Sequence, residues 1–367
     1  MPAHTRKCAF RRNSVAAALL LSALAFPAAA AEDTAAHRAA WMAGGTYGVM
    51  THYLVSPPGA TAGERAASFD KTVQDFDLDH FMGQFGESGA DWLIFTIGQN
   101  TGYYCSPNAF LDAALPGHTS KRDLALELAR RVHQMGRRFI AYLPAEVAGQ
   151  SEEVKGAFGW KDDDHREFLA NYLQFVRDYS VKFGALCDGW WFDGCYDHIH
   201  RGKWNWRDWC DAARAGNPDA VIAFNDGSFC VGREKPLSPL QDYHAGEVHM
   251  LEEGKIRFDF MTPASEVYKN EQGYYRVRGK DPVFYMPKAQ FVDGVQWHAL
   301  VPIDSSFMAP TIPDQHYEDA QLLQFLRGCR SVRGAVTLNV PIDTTVGRIP
   351  EATAAQLKRL GAALMEK

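Results

Sequence analysis

The chain has 367 residues, of which 46% are hydrophobic and 22% are charged, and its formal net charge is −6. This composition is that of an ordinary globular protein and excludes disorder along the whole chain, and no internal repeat indicates a solenoid or a propeller. Because the chain is acidic and has no basic stripe, we expect neither nucleic acid nor an anionic lipid surface as a partner.

The first 31 residues have the pattern of a signal peptide. A basic segment that includes Arg11 and Arg12 precedes an apolar run from Val15 to Phe26, and alanines 28–31 offer cleavage sites. The apolar run is short for a membrane span, which needs about 20 residues; an uncleaved anchor is the alternative. We therefore predict a signal peptide at 1–31, a mature domain at 32–367, and export to the periplasm or the medium. Cleavage removes four basic and no acidic residues, which changes the net charge from −6 to −10.

Six cysteines remain after this cleavage, an even number in an oxidising compartment. The sequence does not choose among their possible pairings. The sequence has no Cys-x2-Cys pair and no His-x3-His spacing typical of structural zinc, so we predict no structural metal site. The six are Cys105, Cys187, Cys195, Cys210, Cys230 and Cys329.

Short apolar runs alternate with segments of helical period from Thr46 onward, which is typical of βαβ units. Eight strands are predicted, the number that closes a (β/α)8 TIM barrel as a single domain. A doubly wound open sheet is the alternative, although no Gly-x-Gly-x-x-Gly motif follows the first strand. The predicted strands are Tyr47–Tyr53, Trp92–Ile97, Phe139–Leu143, Gly189–Asp193, Val221–Asn225, Tyr243–Val248, Trp297–Pro302 and Ala335–Val340.

Helix signals fall between these strands. Ser120 and Asp123 have the spacing of a capping box, and an apolar series at every fourth residue follows them until Gly136. A second apolar helix face ends at Gly184, and Pro350 opens a last helix.

The active-site groups of such a barrel project from the carboxyl ends of its strands. Asp193 is the most informative of them, because it follows Trp190-Trp191-Phe192 and low polarity strengthens the effect of a carboxylate on an oxocarbenium-like transition state. Capping of the following helix or turn is the alternative for this residue. The strand-end positions carry carboxylates, amides and imidazoles, which suit sugar hydroxyls. They are His52, Gln99, Asn100, Glu146, Asp193, Asn225, Asp226, Glu247, His298 and Asn339.

The segment from Cys187 to Gly194, Cys-Asp-Gly-Trp-Trp-Phe-Asp-Gly, resembles the nucleophile strand of the α-L-fucosidases of glycoside hydrolase family 29. Further segments match that family in order, and the resemblance covers about residues 40–365. It implies a retaining exo-glycosidase that removes terminal α-L-fucosyl or closely related residues from oligosaccharides, with Asp193 as the nucleophile. The further matching segments are 47–52, 122–124 with 139–142, 338–341 and 347–351.

A retaining hydrolase needs a second carboxyl group about 5–5.5 Å from the first. Glu247, at the end of the sixth predicted strand, is similar to the family's Asp-(Phe/Tyr)-x-Thr-Pro-Glu stretch and is the predicted acid/base. A surface role is its alternative, and Glu146, Glu252 and Glu253 are the reserves. This two-carboxylate mechanism implies no metal and no cofactor.

Eight residues are predicted to contact the sugar. For His52, whose counterpart in the family contacts fucose, the alternative is a core histidine bonded to a backbone carbonyl. For Asn225 the alternative is a turn with Asp226. The predicted contacts are His52, Gln99, Asn100, Tyr142, Trp191, Asn225, Trp297 and His298.

The sequence departs from the family at three places. Gln99-Asn100 stands where the family has a His-His pair, Trp297-His298 replaces a Trp-Glu pair, and the family's C-terminal β-sandwich has no counterpart. Amides exchange hydrogen bonds with hydroxyls but carry no charge. A different sugar, or a barrel that binds glycans without cleaving them, therefore stays open; a carboxylate separation beyond about 10 Å would favour the latter.

Overall fold

The structure is a computed structural model that describes residues 37–227, 235–247, 267–269, 275–277, 286–303 and 317–366. The predicted signal peptide, Val248, Cys230 and the reserve acids Glu252 and Glu253 lie outside these residues. The chain divides into two compact units, 1–35 and 36–367, and every described residue belongs to the second. Within the described ranges, no helix is both long enough and apolar enough to cross a membrane.

Seven parallel strands form one curled sheet in the order β10-β11-β1-β2-β3-β4-β5. The first strand lies beside the last, so the order is cyclic as in a barrel, and the doubly wound alternative, whose strand order reverses, is wrong. Seven of the eight predicted strands are thereby confirmed. The strands of this sheet are β1 (Gly48–Thr51), β2 (Trp92–Thr96), β3 (Arg138–Pro144), β4 (Gly189–Asp193), β5 (Val221–Phe224), β10 (His298–Pro302) and β11 (Ala335–Val340). Among the described residues there are also two antiparallel pairs: β6 (Val267–Lys269) with β7 (Tyr275–Val277), and β8 (Phe291–Val292) with β9 (Val295–Gln296).

The remaining predicted strand, Tyr243–Val248, contributes single bridges instead of a continuous ladder. Its described residues make parallel bridges to Gln296 and Leu300, on one side of the segment. On the other side, the amide of Asp242 donates to the carbonyl of Ile222 in β5 at 2.9 Å. The segment therefore contacts both edge strands of the sheet, and its last described residue is Glu247.

The helices lie between the strands along the chain, as the sequence predicts. Gly184 follows α6, and Pro350 is the N-cap of α10. The capping box predicted at Ser120 is wrong: the helix begins at Leu124, so Asp123 is itself the N-cap and its carboxylate accepts from Leu126 N at 3.2 Å. The helices are α1 (Ala62–Gln74), α2 (Leu78–Ser88), α3 (Ala109–Ala114), α4 (Leu124–Gln134), α5 (Glu152–Phe158), α6 (Arg166–Phe183), α7 (Asp197–His200), α8 (Trp206–Ala213), α9 (Asp319–Ser331) and α10 (Glu351–Met365), with short 3-10 turns at Arg38–Gly44 and Gly184–Leu186.

Strand residues alternate between two buried clusters, because successive side chains point to opposite faces of a sheet. In β4, Trp190 and Phe192 join the large cluster formed with the helices, whereas Trp191 joins a smaller one on the inner face. Asp193 continues the inner series by one more step and so points to the same side. The inner face is filled below this level by residues that include Met50, Ile94, Ile140, Tyr142, Trp191, Val221, Ala223, Tyr243 and Leu300.

One glycine is required for this inner packing. A Cβ at Gly48 would overlap the indole of Trp92. The bare backbone of β1 lets the indole cross it and donate from Nε1 to Thr337 Oγ1 at 2.8 Å.

Five of the six cysteines of the predicted mature chain are described. Each is buried and free, so none of these five is paired with another.

Candidate active site

The carboxylate of Asp193 lies at the centre of a hydrogen-bonded cluster at the carboxyl ends of the strands. Its Oδ2 accepts from the hydroxyl of Tyr142 at 2.5 Å and from Nε2 of Gln99 at 2.9 Å. Its Oδ1 accepts from Nδ2 of Asn225 at 2.8 Å and from the hydroxyl of Tyr196 at 3.4 Å. Four donors match the roughly four lone-pair sites of an ionised carboxylate, so the cluster is built to hold Asp193 as an anion.

The chain turns sharply after Asp193. Gly194 has φ +74, and a Cβ there would lie 2.8 Å from Cγ of Glu146. The carbonyl of Asp193 accepts from the amide of Ala145 at 2.5 Å, so the loops after β3 and β4 meet at this point. Helix α7 begins only at Asp197 and has no side-chain cap, so the helix-capping alternative for Asp193 is wrong.

Asn225 joins Asp193 to a second carboxylate, Glu247. Its Nδ2 donates to Asp193 Oδ1 at 2.8 Å and to Glu247 Oε2 at 2.6 Å. Because an amide nitrogen carries two hydrogens, one nitrogen can serve both oxygens, and these two oxygens are at most about 5.4 Å apart. The separation is far below the roughly 10 Å at which direct acid/base pairing fails. The side-chain oxygen Oδ1 of Asn225 also accepts from Gly227 N at 3.1 Å, so the turn and the carboxylate contact occur together.

A third carboxyl group, Glu146, lies on the loop after β3 and packs against Gly194. Burial is the main cause that raises the pKa of Glu146, and the negative charge of Asp193 raises it further, while hydrogen bonds from backbone amides, including that of Ala148, act in the opposite direction. Glu146 therefore holds its proton to a higher pH than an exposed glutamate, which is a property that general acids share.

His52, which follows β1, belongs to the same network. Its Nδ1 lies 3.1 Å from Oε1 of Gln99, and its ring meets Tyr142 edge-on with centroids 5.4 Å apart. Burial lowers the pKa of His52; the hydrogen bond with Gln99 and the charge of Asp193 oppose that effect. His52 and Gln99 thus lie together beside the nucleophile candidate, as the sequence predicts for residues at neighbouring strand ends.

Tyr142 and Trp191 are register partners on the adjacent strands β3 and β4, and both belong to the inner cluster. Their rings stack with centroids 4.9 Å apart and planes 13° from parallel. Burial, and then the charge of Asp193, raise the pKa of Tyr142 far above its usual range, so its hydroxyl remains a donor. Trp191 is only 1% exposed, and its indole N–H donates to the carbonyl of Ala245 at 3.1 Å. Tyr142 thus contacts Asp193 directly, whereas Trp191 stacks on the ring of Tyr142.

The structure corrects the predicted position of His298. This residue is the first of β10, so it lies at the amino end of the sheet and not at the carboxyl end with Asp193. Its Nδ1 lies 2.9 Å from the carbonyl of His244, and its Nε2 lies 2.7 Å from Oγ1 of Thr337. Since a carbonyl only accepts, Nδ1 carries the proton and Nε2 accepts from the threonine. Burial lowers the pKa of His298 to about 4, which keeps this internal link neutral.

Trp297 and Asn100 also lie apart from the cluster. Trp297 precedes β10 and is 2% exposed, and it packs against Gly334. Asn100 is exposed in the turn after Gln99. Of the eight predicted sugar contacts, the structure brings four together around Asp193, namely His52, Gln99, Tyr142 and Asn225.

Sequence reasoning missed Tyr196, which reaches Asp193 Oδ1 from the loop after β4. Its place three residues beyond the strand end was the available signal, since such loops line a barrel's active site. Asn339, near the end of β11, is 1% exposed, and its Oδ1 has no hydrogen-bond partner. No group of three or more metal-ligating side chains occurs in the part of the chain that the structure describes.

Comparison with known sequences finds no match: neither a family model nor a curated protein matches the chain. Solved structures do share its fold. An endo-fucoidan hydrolase from glycoside hydrolase family 107 has a TM-score of 0.61 and 14% identity, over 90% of this chain and 93% of that one. An α-L-fucosidase isoenzyme 1 from Paenibacillus thiaminolyticus has a TM-score of 0.60 and 17% identity, over 89% and 75%.

A second endo-fucoidan hydrolase from family 107 has a TM-score of 0.58 and 16% identity. The match covers 89% of this chain but only 53% of that one, so the chain spans about half of its length. At these identities the likeness establishes a fold shared with glycoside hydrolases.

Proposed function

We propose that the chain is a retaining exo-glycoside hydrolase that removes terminal α-L-fucosyl or closely related residues from oligosaccharides. One observation carries the proposal: a single amide nitrogen, that of Asn225, touches both Asp193 and Glu247. The resulting upper limit of about 5.4 Å between these two oxygens lies below the 6.5–9.5 Å of inverting enzymes and is compatible with the 5–5.5 Å of retaining ones. Segment 242–247 then completes a (β/α)8 barrel between β5 and β10.

In the first step of the proposed mechanism, Asp193 attacks the anomeric carbon as the bond to the leaving oxygen breaks. Glu247 gives its proton to that oxygen, and a glycosyl ester of Asp193 remains. In the second step Glu247 takes a proton from water, whose oxygen attacks the same carbon and releases Asp193. Two inversions give net retention of the anomeric configuration.

The contacts favour Oδ1 of Asp193 as the attacking atom. Oδ2 is held at 2.5 and 2.9 Å by two donors, whereas one of the contacts to Oδ1, that from Tyr196, is 3.4 Å long. A substrate can displace this long contact at a smaller cost than the short ones. Oδ1 is also the oxygen that shares the Asn225 nitrogen with Glu247, so it is the oxygen of Asp193 that faces the acid/base, and the two carboxyl groups can flank the scissile bond, one on each side.

Replacing Asp193 with alanine tests the nucleophile. We expect Asp193→Ala to abolish release of 4-nitrophenol from 4-nitrophenyl α-L-fucoside, and azide to restore part of it as the β-fucosyl azide, because one displacement inverts the α configuration. Asp197→Ala, an exposed aspartate four residues away, is the matched control and should retain full activity. Undiminished hydrolysis by Asp193→Ala would refute the assignment.

The acid/base residue is tested by comparing Glu247→Gln with Glu146→Gln. Nitrophenol leaves without a proton, so loss of the general acid should spare formation of the glycosyl ester and stall its hydrolysis. Azide then attacks the ester and gives the α-fucosyl azide, with the configuration retained. We expect this product from Glu247→Gln; its appearance with Glu146→Gln alone would transfer the role to Glu146.

A different sugar is the second candidate, since Gln99 engages Asp193 and His52 with both ends of its amide. Hydrolysis rates measured on a panel of aryl glycosides distinguish an enzyme that acts on α-L-fucosides from one that acts on a different sugar. The products of incubation with fucoidan distinguish exo from endo cleavage. We expect free monosaccharide, whereas endo cleavage would give longer fragments.

Export is part of the proposal and rests on the pattern of residues 1–31. N-terminal sequencing of the protein recovered outside the cytoplasm should begin near Glu32. Recovery of a product that still begins at Met1 in the cytoplasm alone would contradict it.

A further inference from the structure

The side chain of Gln99 lies between two groups of the site. Its Nε2 donates to Asp193 Oδ2 at 2.9 Å, and its Oε1 lies 3.1 Å from Nδ1 of His52. Gln99 is 7% exposed and follows β2, so it is held in place by its surroundings.

Chemistry decides which way this amide points. An ionised carboxylate accepts hydrogen bonds and donates none, so the end of Gln99 that faces Asp193 is the NH2 group. The other end, which faces His52, is therefore the carbonyl oxygen, and that oxygen also only accepts. The imidazole nitrogen opposite it, Nδ1, must then carry a hydrogen.

We propose that Gln99 is a positioning residue that fixes His52 as the Nδ1–H tautomer and leaves the lone pair on Nε2. The negative charge of Asp193 determines the orientation of the Gln99 amide, and the orientation of the amide determines which nitrogen of the imidazole carries the hydrogen. In water a neutral imidazole prefers the opposite tautomer, with the hydrogen on Nε2, so the arrangement has a measurable consequence.

The tautomer determines what His52 can bind, and this step rests on the proposed function. With a lone pair on Nε2, His52 accepts a hydrogen from a sugar hydroxyl and does not donate one. Burial lowers the pKa of His52, which favours the neutral ring that this role needs. The same tautomer follows from Asp193 and Gln99 even if the substrate is not a fucoside.

Long-range 1H–15N correlation spectra of the 15N-labelled protein test the tautomer directly. His52→Gln identifies the two ring signals of His52 by their disappearance. We expect Nε2 to have the 15N chemical shift of an unprotonated imidazole nitrogen and Nδ1 that of a protonated one. A protonated Nε2 on a neutral ring in the unsubstituted protein would overturn the proposal.

Gln99→Met supplies the second measurement, because methionine fills a similar volume and offers no amide. We expect His52 to shift towards the Nε2–H tautomer in this variant, and an unchanged Nδ1–H tautomer would overturn the role of Gln99. Gln84→Met is the matched control: Gln84 also uses both amide ends, on the backbone of Ile349, and lies elsewhere. Its replacement should leave the His52 signals unchanged.

Kinetics separate this inference from the proposed function. If the chain hydrolyses a glycoside, Gln99→Met should lower kcat/KM roughly 10- to 150-fold, the effect of removing one hydrogen bond to a charged group. If it hydrolyses none, the spectra still decide the tautomer, and only the proposed function fails.

Discussion

Replacing Asn225 with leucine removes the nitrogen that contacts both carboxylates while keeping a side chain of similar shape. In the native site each carboxylate receives one N–H from this amide, at 2.8 and 2.6 Å. At the upper limit of about 5.4 Å and an effective dielectric constant of about 20, two negative charges repel each other by at least about 3 kcal/mol. The two hydrogen bonds offset this repulsion, since each bond to a charged group contributes about 1.5–3 kcal/mol.

The pH profile of kcat/KM should show the loss of the two hydrogen bonds from Asn225. A retaining hydrolase is active when Asp193 is ionised and the acid is protonated, which gives a bell-shaped profile whose limbs report the pair. Without the amide, both ionised forms lose a donor and both protons are held to higher pH. We expect each limb of the Asn225→Leu profile to move upward by roughly one to two pH units.

A suitable control is Asn108→Leu, since Asn108 is also buried and hydrogen-bonded but caps α3 away from the site. It should lower the free energy of unfolding without moving either limb. Limbs that stay in place in Asn225→Leu, or that move to lower pH, would refute the reasoning that the amide stabilises both anions.

Three further predictions concern single side chains. Tyr142→Phe should fold normally and lower kcat/KM roughly 10- to 150-fold, because it loses the 2.5 Å hydrogen bond to the nucleophile. Gly48→Ala should lower the free energy of unfolding in urea by about 3 kcal/mol, because its Cβ overlaps a buried indole; Gly44→Ala, which meets nothing within 4 Å, should be nearly neutral. Since burial lowers the pKa of His298 to about 4 from 6.5, the unfolded chain binds its proton first as the pH falls, and stability is lost below about pH 6.5. The free energy of unfolding should thus fall by about 2 kcal/mol between pH 7 and pH 5 through this residue, and an equal pH dependence in His298→Gln would contradict that.

Much of the fold could be predicted because the strands of a barrel are buried on both faces. The predicted bounds Gly189–Asp193 and Ala335–Val340 agree with β4 and β11 residue for residue. Both segments are mostly apolar and are followed at once by Gly194 or Pro341, which is the signal a buried parallel strand gives. Because the carboxyl ends of barrel strands meet at one side of the barrel, the sequence also predicts that His52, Gln99 and Asp193 lie close together.

His298 shows that the direction of a strand must be applied to every residue on it. In the predicted strand Trp297–Pro302 it is the second residue, so the sequence already assigns it to the amino end and not to the carboxyl end, where sugar contacts are expected. Its role there was hidden, because the contact of its Nε2 with Thr337, which also receives the indole N–H of Trp92, depends on the register of β10 against β11. The double contact of Asn225 was equally hidden, since it depends on the position of Glu247 relative to β5 to within an ångström.

The amide at Gln99 has a consequence for the pH dependence of the whole site. The family that the sequence resembles has a His-His pair at this place, and a second imidazole beside Asp193 would titrate near neutral pH. An amide does not titrate, and burial lowers the pKa of the imidazole that remains, His52. The residues around Asp193 therefore keep one arrangement of donors and acceptors through neutral pH. The two limbs of the activity profile then report the ionisation of the carboxyl groups and not that of a histidine.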